Sequence, residues 1–237
     1  MSLRLSLLPL ALLLAGLHAP AQAEGPLAFN ASVASDYRYR GISQTRLKPA
    51  VQAGADFAHA SGFYLGSWGS TVKWIKDGGG QASTELDFYG GYKTEAASGL
   101  TLDVGLLKYV YFNHELAVSP NTLEVYGALT AGPATLKVSR STSNLFGFAD
   151  SKGSLYYDLS ATFDLGGGFT LTPHAGRQTV KRSGSYSYTD YSLTLNKDVG
   201  GVVWGLAALD TNTQAYVGAH SKDLGKAGVV LSAKVNF

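Results

Sequence analysis

From Gly228 the chain reads G-V-V-L-S-A-K-V-N-F, with Phe237 as its last residue. Val229, Leu231, Ala233, Val235 and Phe237 share one parity; Gly228, Ser232, Lys234 and Asn236 share the other, with Val230 the one intruder. Side chains of a strand point alternately to its two faces. A period of two over this length therefore predicts a β-strand with one face in an apolar phase and one in a polar phase. Taken alone, such a strand suits the edge of a soluble β-protein as well as the wall of a barrel.

The same period recurs along the chain. It predicts strands over 27–37, 50–58, 63–70, 84–93, 100–107, 122–130, 134–140, 155–165, 169–180, 188–197 and 202–210, with the C-terminal strand the twelfth. In 50–58, for example, Val51, Ala53, Ala55 and Phe57 alternate with Gln52, Gly54 and Asp56. The phase of 63–70 is ambiguous, because Phe63 and Tyr64 are adjacent aromatics.

The connections separate a barrel from a sandwich. Short ones (59–62, 94–99, 132–133, 166–168, 198–201) alternate with long ones (38–49, 71–83, 108–121, 141–154, 181–187, 211–226). Transmembrane barrels have short periplasmic turns and longer extracellular loops. A β-sandwich gives many short strands but has no reason for this alternation. The expectation is an all-β, antiparallel transmembrane β-barrel of about twelve strands, with both termini periplasmic. Tyr37, Phe57, Phe63, Tyr92, Tyr109, Phe163, Phe169 and Phe237 stand near strand ends, where two aromatic girdles would lie.

The first residues are set apart. Arg4 precedes an apolar run from Leu5 to Leu17, and Ala21-Gln22-Ala23 is a small-x-small cleavage signature. Residues 1–23 are expected to be a signal peptide, leaving 24–237 as the barrel. The run is shorter than the about 20 apolar residues of a spanning helix. A chain exported to a membrane without such a helix has the closed barrel as its other route across. The absence of cysteine excludes disulfides and thiolate metal sites. A formal net charge of +2 argues against a nucleic-acid partner. Gly78-Gly79-Gly80 and Gly166-Gly167-Gly168 do not fit a P-loop and read as a loop and a turn.

Two resemblances bear on this expectation. An aromatic C-terminus at Phe237 resembles the closing strand of bacterial outer-membrane barrels, which implies an assembly signal read by the barrel assembly machinery. Ser35-Asp36-Tyr37-Arg38-Tyr39-Arg40-Gly41-Ile42-Ser43-Gln44-Thr45, Gly62-Phe63-Tyr64-Leu65-Gly66-Ser67-Trp68-Gly69-Ser70 and Glu85-Leu86-Asp87-Phe88-Tyr89-Gly90-Gly91-Tyr92 together resemble the TorF-like putative porins of Gram-negative bacteria. The match covers roughly residues 27–93, and it implies an outer-membrane barrel with a porin role.

By parity Asp36, Asp56, Glu85, Asp87, Asp103, Glu124, Asp158 and Asp190 point inward, with Arg38, Arg40, Lys93, Lys137 and Lys234. Charge is tolerated in a hydrated lumen and costly against lipid. The functional reading is a narrow channel for small hydrophilic solutes, pore-lined by Asp36, Asp56, Glu85, Asp87, Lys93, Asp103, Glu124, Lys137 and Asp158. The excess of acid predicts a mild cation preference. The alternative is a plugged barrel whose interior charges pair with one another. Arg38, Arg40 and Arg46 are expected at the extracellular rim, against lipopolysaccharide phosphates or an anionic solute. A barrel enzyme finds little support: His174 is the one inward strand histidine, and no catalytic run accompanies it. No metal or cofactor is expected. Cleavage before Glu24 is checked by intact mass of the membrane-fraction protein; a mass that retains residues 1–23 contradicts it.

Overall fold

The computed structural model describes residues 26–237, so the expected signal peptide lies outside the described residues. The barrel strands are β1 (Leu27–Ala34), β2 (Ala50–Ala58), β3 (Phe63–Thr71), β4 (Thr84–Ala97), β5 (Leu100–Val110), β6 (Thr122–Ala131), β7 (Ala134–Ser141), β8 (Leu155–Ala161), β9 (Phe169–Thr179), β10 (Tyr188–Val199), β11 (Val202–Thr211) and β12 (Gly228–Asn236). A short extra strand, Phe163–Gly166, continues the line of β8. Each strand pairs antiparallel with the next, and β1 closes on β12 from Asn30↔Asn236 to Ala34↔Ser232. The result is a closed twelve-stranded antiparallel barrel.

The exterior is an apolar surface. Val33, Val51, Leu65, Leu106, Leu136, Leu159, Leu193, Leu206, Val229 and Leu231 are all exposed. A monomeric soluble domain does not carry a continuous apolar belt of this kind, whereas a lipid-facing barrel requires it. The opposite parity, mainly polar, aromatic or small, turns inward, which resolves the ambiguous third strand: Tyr64 is buried and Phe63 exposed. The intruder Val230 faces the lumen, where it lines a cavity beside Ala207 and Leu209.

Local chemistry sets where strands end or break. Pro173 of β9 lies between the pairs Ser160↔His174 and Phe163↔Leu171, opposite the break after Ala161. Proline has no N–H for the ladder, so the neighbouring strand is interrupted there. Strands β10 and β11 are joined by Gly200 (φ 63) and Gly201 (φ 85), the two left-handed positions of a tight hairpin turn. The fourth strand runs past Lys93 to Ala97, because its pairing with β5 continues through Lys93↔Asp103 and Thr94↔Leu102.

Phe57, Phe63, Phe163, Phe169 and Phe237 are exposed near the short-turn end, with Tyr92 tilted against Phe63 at 5.0 Å. They form the girdle expected at that end. Tyr37 and Tyr109 do not belong to it: each is only 3% exposed and lies inside. The first strand stops at Ala34 rather than Tyr37, and the chain turns into the barrel. The long connections close over the lumen as well. Val72, Ile75, Tyr37, Tyr109 and Tyr111 form a buried apolar cluster, against which Trp74, Leu116 and Phe146 pack.

Leu193 points to lipid at 49% exposure, and its neighbour Ser192 to the lumen. Leu193→Arg is expected to cost about 2–4 kcal/mol near the bilayer midplane, and Ser192→Arg far less. Reversible unfolding in lipid vesicles measures both; equal losses contradict the assigned phase.

Candidate functional site

The lumen is organised by the segment that follows β1. Arg38–Tyr39 pairs with Ile42–Ser43, leaving Arg40 (φ 48) and Gly41 (φ 80) as a two-residue turn at the tip of a small hairpin. A left-handed backbone is strained for a residue other than glycine. The tip is held by what Arg40 reaches. Its Nη2 donates to Glu124 Oε2 of β6 at 2.7 Å, and its Nη1 to Gln178 Oε1 of β9 at 2.6 Å. Its guanidinium also stands 4.1 Å from the Tyr156 ring centroid and 4.8 Å from that of Tyr39. The hairpin thus spans the interior between β1 and the far wall. Asp36 braces its base: Oδ1 accepts from Ser43 Oγ at 2.6 Å and Thr45 Oγ1 at 3.0 Å, and Oδ2 from Arg38 Nε at 2.5 Å. Arg38 Nη1 donates to the carbonyls of Gly41, Leu224 and Lys226.

These contacts correct the expected rim for Arg38 and Arg40. Arg40 is buried inside the barrel, and Arg38 is an internal strut. Arg46, more exposed, lies with Nε 2.5 Å from Asp77 Oδ1, an ion pair without hydrogen-bond direction. It ties the hairpin segment to the short helix Trp74–Asp77. Arg38 and Arg40 thus turn inward, while Arg46 stays partly exposed in the long connection.

One wall of the lumen is filled by tyrosine lying on glycine. Gly91↔Tyr64, Gly66↔Tyr89 and Gly105↔Tyr126 are direct cross-strand partners on β3–β6, and each ring occupies the space a Cβ on its glycine would need. The hydroxyls then reach acids: Tyr64 donates to Asp103 at 2.6 Å, Tyr89 donates to Asp56, and Tyr37 (2.7 Å) and Tyr111 both donate to Glu85. Lys137 Nζ stands 3.9 Å from the Tyr126 ring centroid. Asp87 is buried on the same wall, and its Oδ1 has no hydrogen-bond partner.

The other wall carries small residues. Gly205 and Ala207 of β11, Ser232 of β12 and Ser32 of β1 leave a cavity of about 110 Å³ beside the hairpin, also lined by Gln52, His174, Asp190, Thr194 and Asn196. Thr194 Oγ1 and Asn196 Oδ1 are buried there with no protein partner. His174 Nε2 lies 2.9 Å from Asp158 Oδ2, and its Nδ1 3.7 Å from Asp190 Oδ1. Tyr156 Oη lies 3.3 Å from the same Nε2 and 3.1 Å from each Asp190 carboxylate oxygen, so the imidazole belongs to a network with two carboxylates and a phenol. Of the residues expected to line a pore, Glu85, Asp87, Glu124 and Asp158 are buried inside; Asp56, Lys93, Asp103 and Lys137 are half-buried on the inward parity. Asp36 lies beyond β1, in the base of the hairpin. Sequence parity missed the reach of Arg40 and the tyrosine–glycine pairs. The neighbouring Arg40-Gly41 and the high counts of glycine (29) and tyrosine (14) were the signals available.

One family profile matches residues 19–237, nearly the whole chain, and it is described as a bacterial protein of unknown function, Gcw_chp. The chain belongs to the Gcw_chp family. That family, rather than the TorF-like one, is what the match names. Among curated proteins none matches significantly. Among solved structures the Gcw_chp chain is similar to a KdgM porin (TM-score 0.56, 8% identity, 89% of this chain and 97% of that one). It is similar to a NanC porin as well (TM-score 0.56, 11% identity, 89% and 98%). At identities this low the overlap shows a shared barrel fold.

The Arg40–Glu124 pair is a direct, buried coupling across the lumen. A double-mutant cycle of Arg40→Met and Glu124→Gln, read by reversible unfolding in vesicles, is expected to give an interaction energy of about 1–3 kcal/mol. Additive single effects contradict the strut.

Proposed function

We propose that this Gcw_chp protein is a bacterial outer-membrane channel for passive diffusion of small hydrophilic solutes, with its short turns and both termini on the periplasmic side. The observation that carries this reading is the polar cavity beside Arg40, inside a closed barrel whose exterior is apolar. The passage runs off-axis, along the small-residue wall of β11, β12 and β1. The tyrosine wall leaves no room for it on the opposite side. The Arg40 hairpin is the constriction, because it narrows the lumen between β6 and β9.

The sign of the lining follows from its pairing. Of the charges that line the cavity, Asp36 is paired with Arg38 and Arg40 with Glu124, which leaves Asp190 beside His174. Asp158 and Asp190 share His174. A lumen with a net negative lining between low-dielectric walls concentrates cations. The preference is mild and fades as salt screens it over about 8–10 Å. Phe237 is the assembly signal in this reading. Its ring is exposed and stacked 6.0 Å from Phe29, at the seam that the assembly machinery must close.

A second reading, a plugged barrel without conduction, is favoured by one observation: the apolar cluster around Ile75 closes over the tyrosine side of the lumen. Planar-bilayer recording of the refolded protein under a KCl gradient separates the two. The expected result is a small channel with a cation-selective reversal potential. Arg40→Ala should raise its conductance at least twofold, as the hairpin loses both far-wall anchors. An anion-selective potential overturns the charge argument. No conductance from a folded barrel overturns the channel and leaves the plug.

A further inference from the structure

The outward face at the long-loop end carries basic side chains where the apolar belt stops. Arg140 is the next-to-last residue of β7 and Arg177 nears the end of β9, both exposed and on the lipid-facing parity. They flank β8: Leu155 pairs with both Arg140 and Thr179, and Tyr157 pairs with both Val138 and Arg177. Lys181 follows β9, its backbone N–H donating to Ser154 Oγ at 3.0 Å. Gly153 lies between two of these cations. A Cβ placed on it would stand 3.6 Å from Lys181 Nζ and 3.7 Å from Arg140 Nη2, and φ at Gly153 is +92°. The missing side chain leaves a notch with a cation on either side.

No described acid pairs with Arg140, Arg177 or Lys181. The nearby Asp150 lies 3.7 Å from Arg182 instead, and Arg177 donates only to the Thr189 hydroxyl at 3.2 Å. Directly below, Tyr157 and Tyr191 are exposed on β8 and β10, and Leu159 and Leu193 follow toward the barrel's middle. Aromatic side chains of this kind mark the bilayer interface. Like charges gathered at that level repel one another and are costly against hydrocarbon. They are stabilised when a phosphate sits between them, accepting charge-assisted hydrogen bonds from Arg and Lys.

We propose that Arg140, Arg177 and Lys181 form a binding site for the phosphorylated headgroup of a glycolipid in the leaflet on the long-loop side. A lipid rather than free phosphate is the ligand because the site continues without a break into the apolar belt, where acyl chains cover Tyr157 and Leu159. The site moves the expected phosphate contact from the lumen arginines to the outside of the wall. It rests on the membrane-barrel fold and not on conduction.

The test uses the full chain in neutral detergent micelles doped with bis-phosphorylated lipid A, with bound lipid counted by native mass spectrometry. Wild type should retain lipid A. The triple variant Arg140→Gln, Arg177→Gln, Lys181→Gln should bind it at least tenfold more weakly, and Arg140→Gln alone should show an intermediate loss. A control with the same loss of charge elsewhere, Lys48→Gln, Lys222→Gln, Lys226→Gln, should bind as wild type. Dephosphorylated lipid A should not be retained, and millimolar inorganic phosphate should not displace lipid A. Equal binding by wild type and the variants overturns the site. Displacement by inorganic phosphate overturns the lipid as its ligand. Retention of the dephosphorylated lipid overturns phosphate recognition.

Discussion

A chain in hydrocarbon must satisfy its own backbone, since no water is present to accept or donate. In this protein that requirement is met by the seam between β1 and β12, where the first and last strands pair over Asn30–Ala34. With the ladder closed, each of the twelve barrel strands has a partner on both sides, which protects them from pairing with another chain. All else follows from closure. The wall has two faces of opposite chemistry, and the interior volume has to be filled or hydrated.

How it is filled distinguishes this barrel from a uniform tube. Tyrosine on glycine thickens the wall of β3–β6, while glycine, alanine and serine thin the wall of β11, β12 and β1. A tyrosine supplies a large apolar body and a polar tip. Its ring therefore buries on the neighbouring strand's glycine while its hydroxyl satisfies a carboxylate further in. Acids such as Asp103 and Glu85 remain inside a packed wall because these hydroxyls meet them. Bulk on one side and space on the other set the cavity off-axis without any change in strand number.

Much of this was legible in the sequence, for a physical reason. A barrel wall keeps its period of two over every strand, so a single residue assigns the phase of its neighbours. The predicted bounds 50–58 are those of β2, and Leu193 and Ser192 take the faces their parity demands. The departures occur where tertiary contact overrides alternation. Tyr37 shares the parity of Leu27 and Phe29, but β1 ends before it and the chain bends inward, so parity no longer governs it. Arg38, Arg40 and Arg46 stand in one long connection and look like a rim. Their partners Glu124, Gln178, Asp77 and Leu224 lie far off in sequence, and no local pattern announces them. The break in β8 was written in the chain, but in Pro173 of the neighbouring strand rather than in β8 itself.

The base of the hairpin has a bearing on the order in which this protein is made. Arg38, near the start of the described chain, donates to the carbonyls of Leu224 and Lys226, just before β12. Those acceptors are synthesised after β1 to β11, and they come within reach of Arg38 only as β12 docks on β1. Contacts of such sequence separation form late, after the entropy of a very long loop has been overcome. The base of the hairpin therefore cannot be fixed strand by strand. It is latched in the same event that zips the barrel shut, so a barrel that has not finished assembling is also one whose hairpin is not yet anchored.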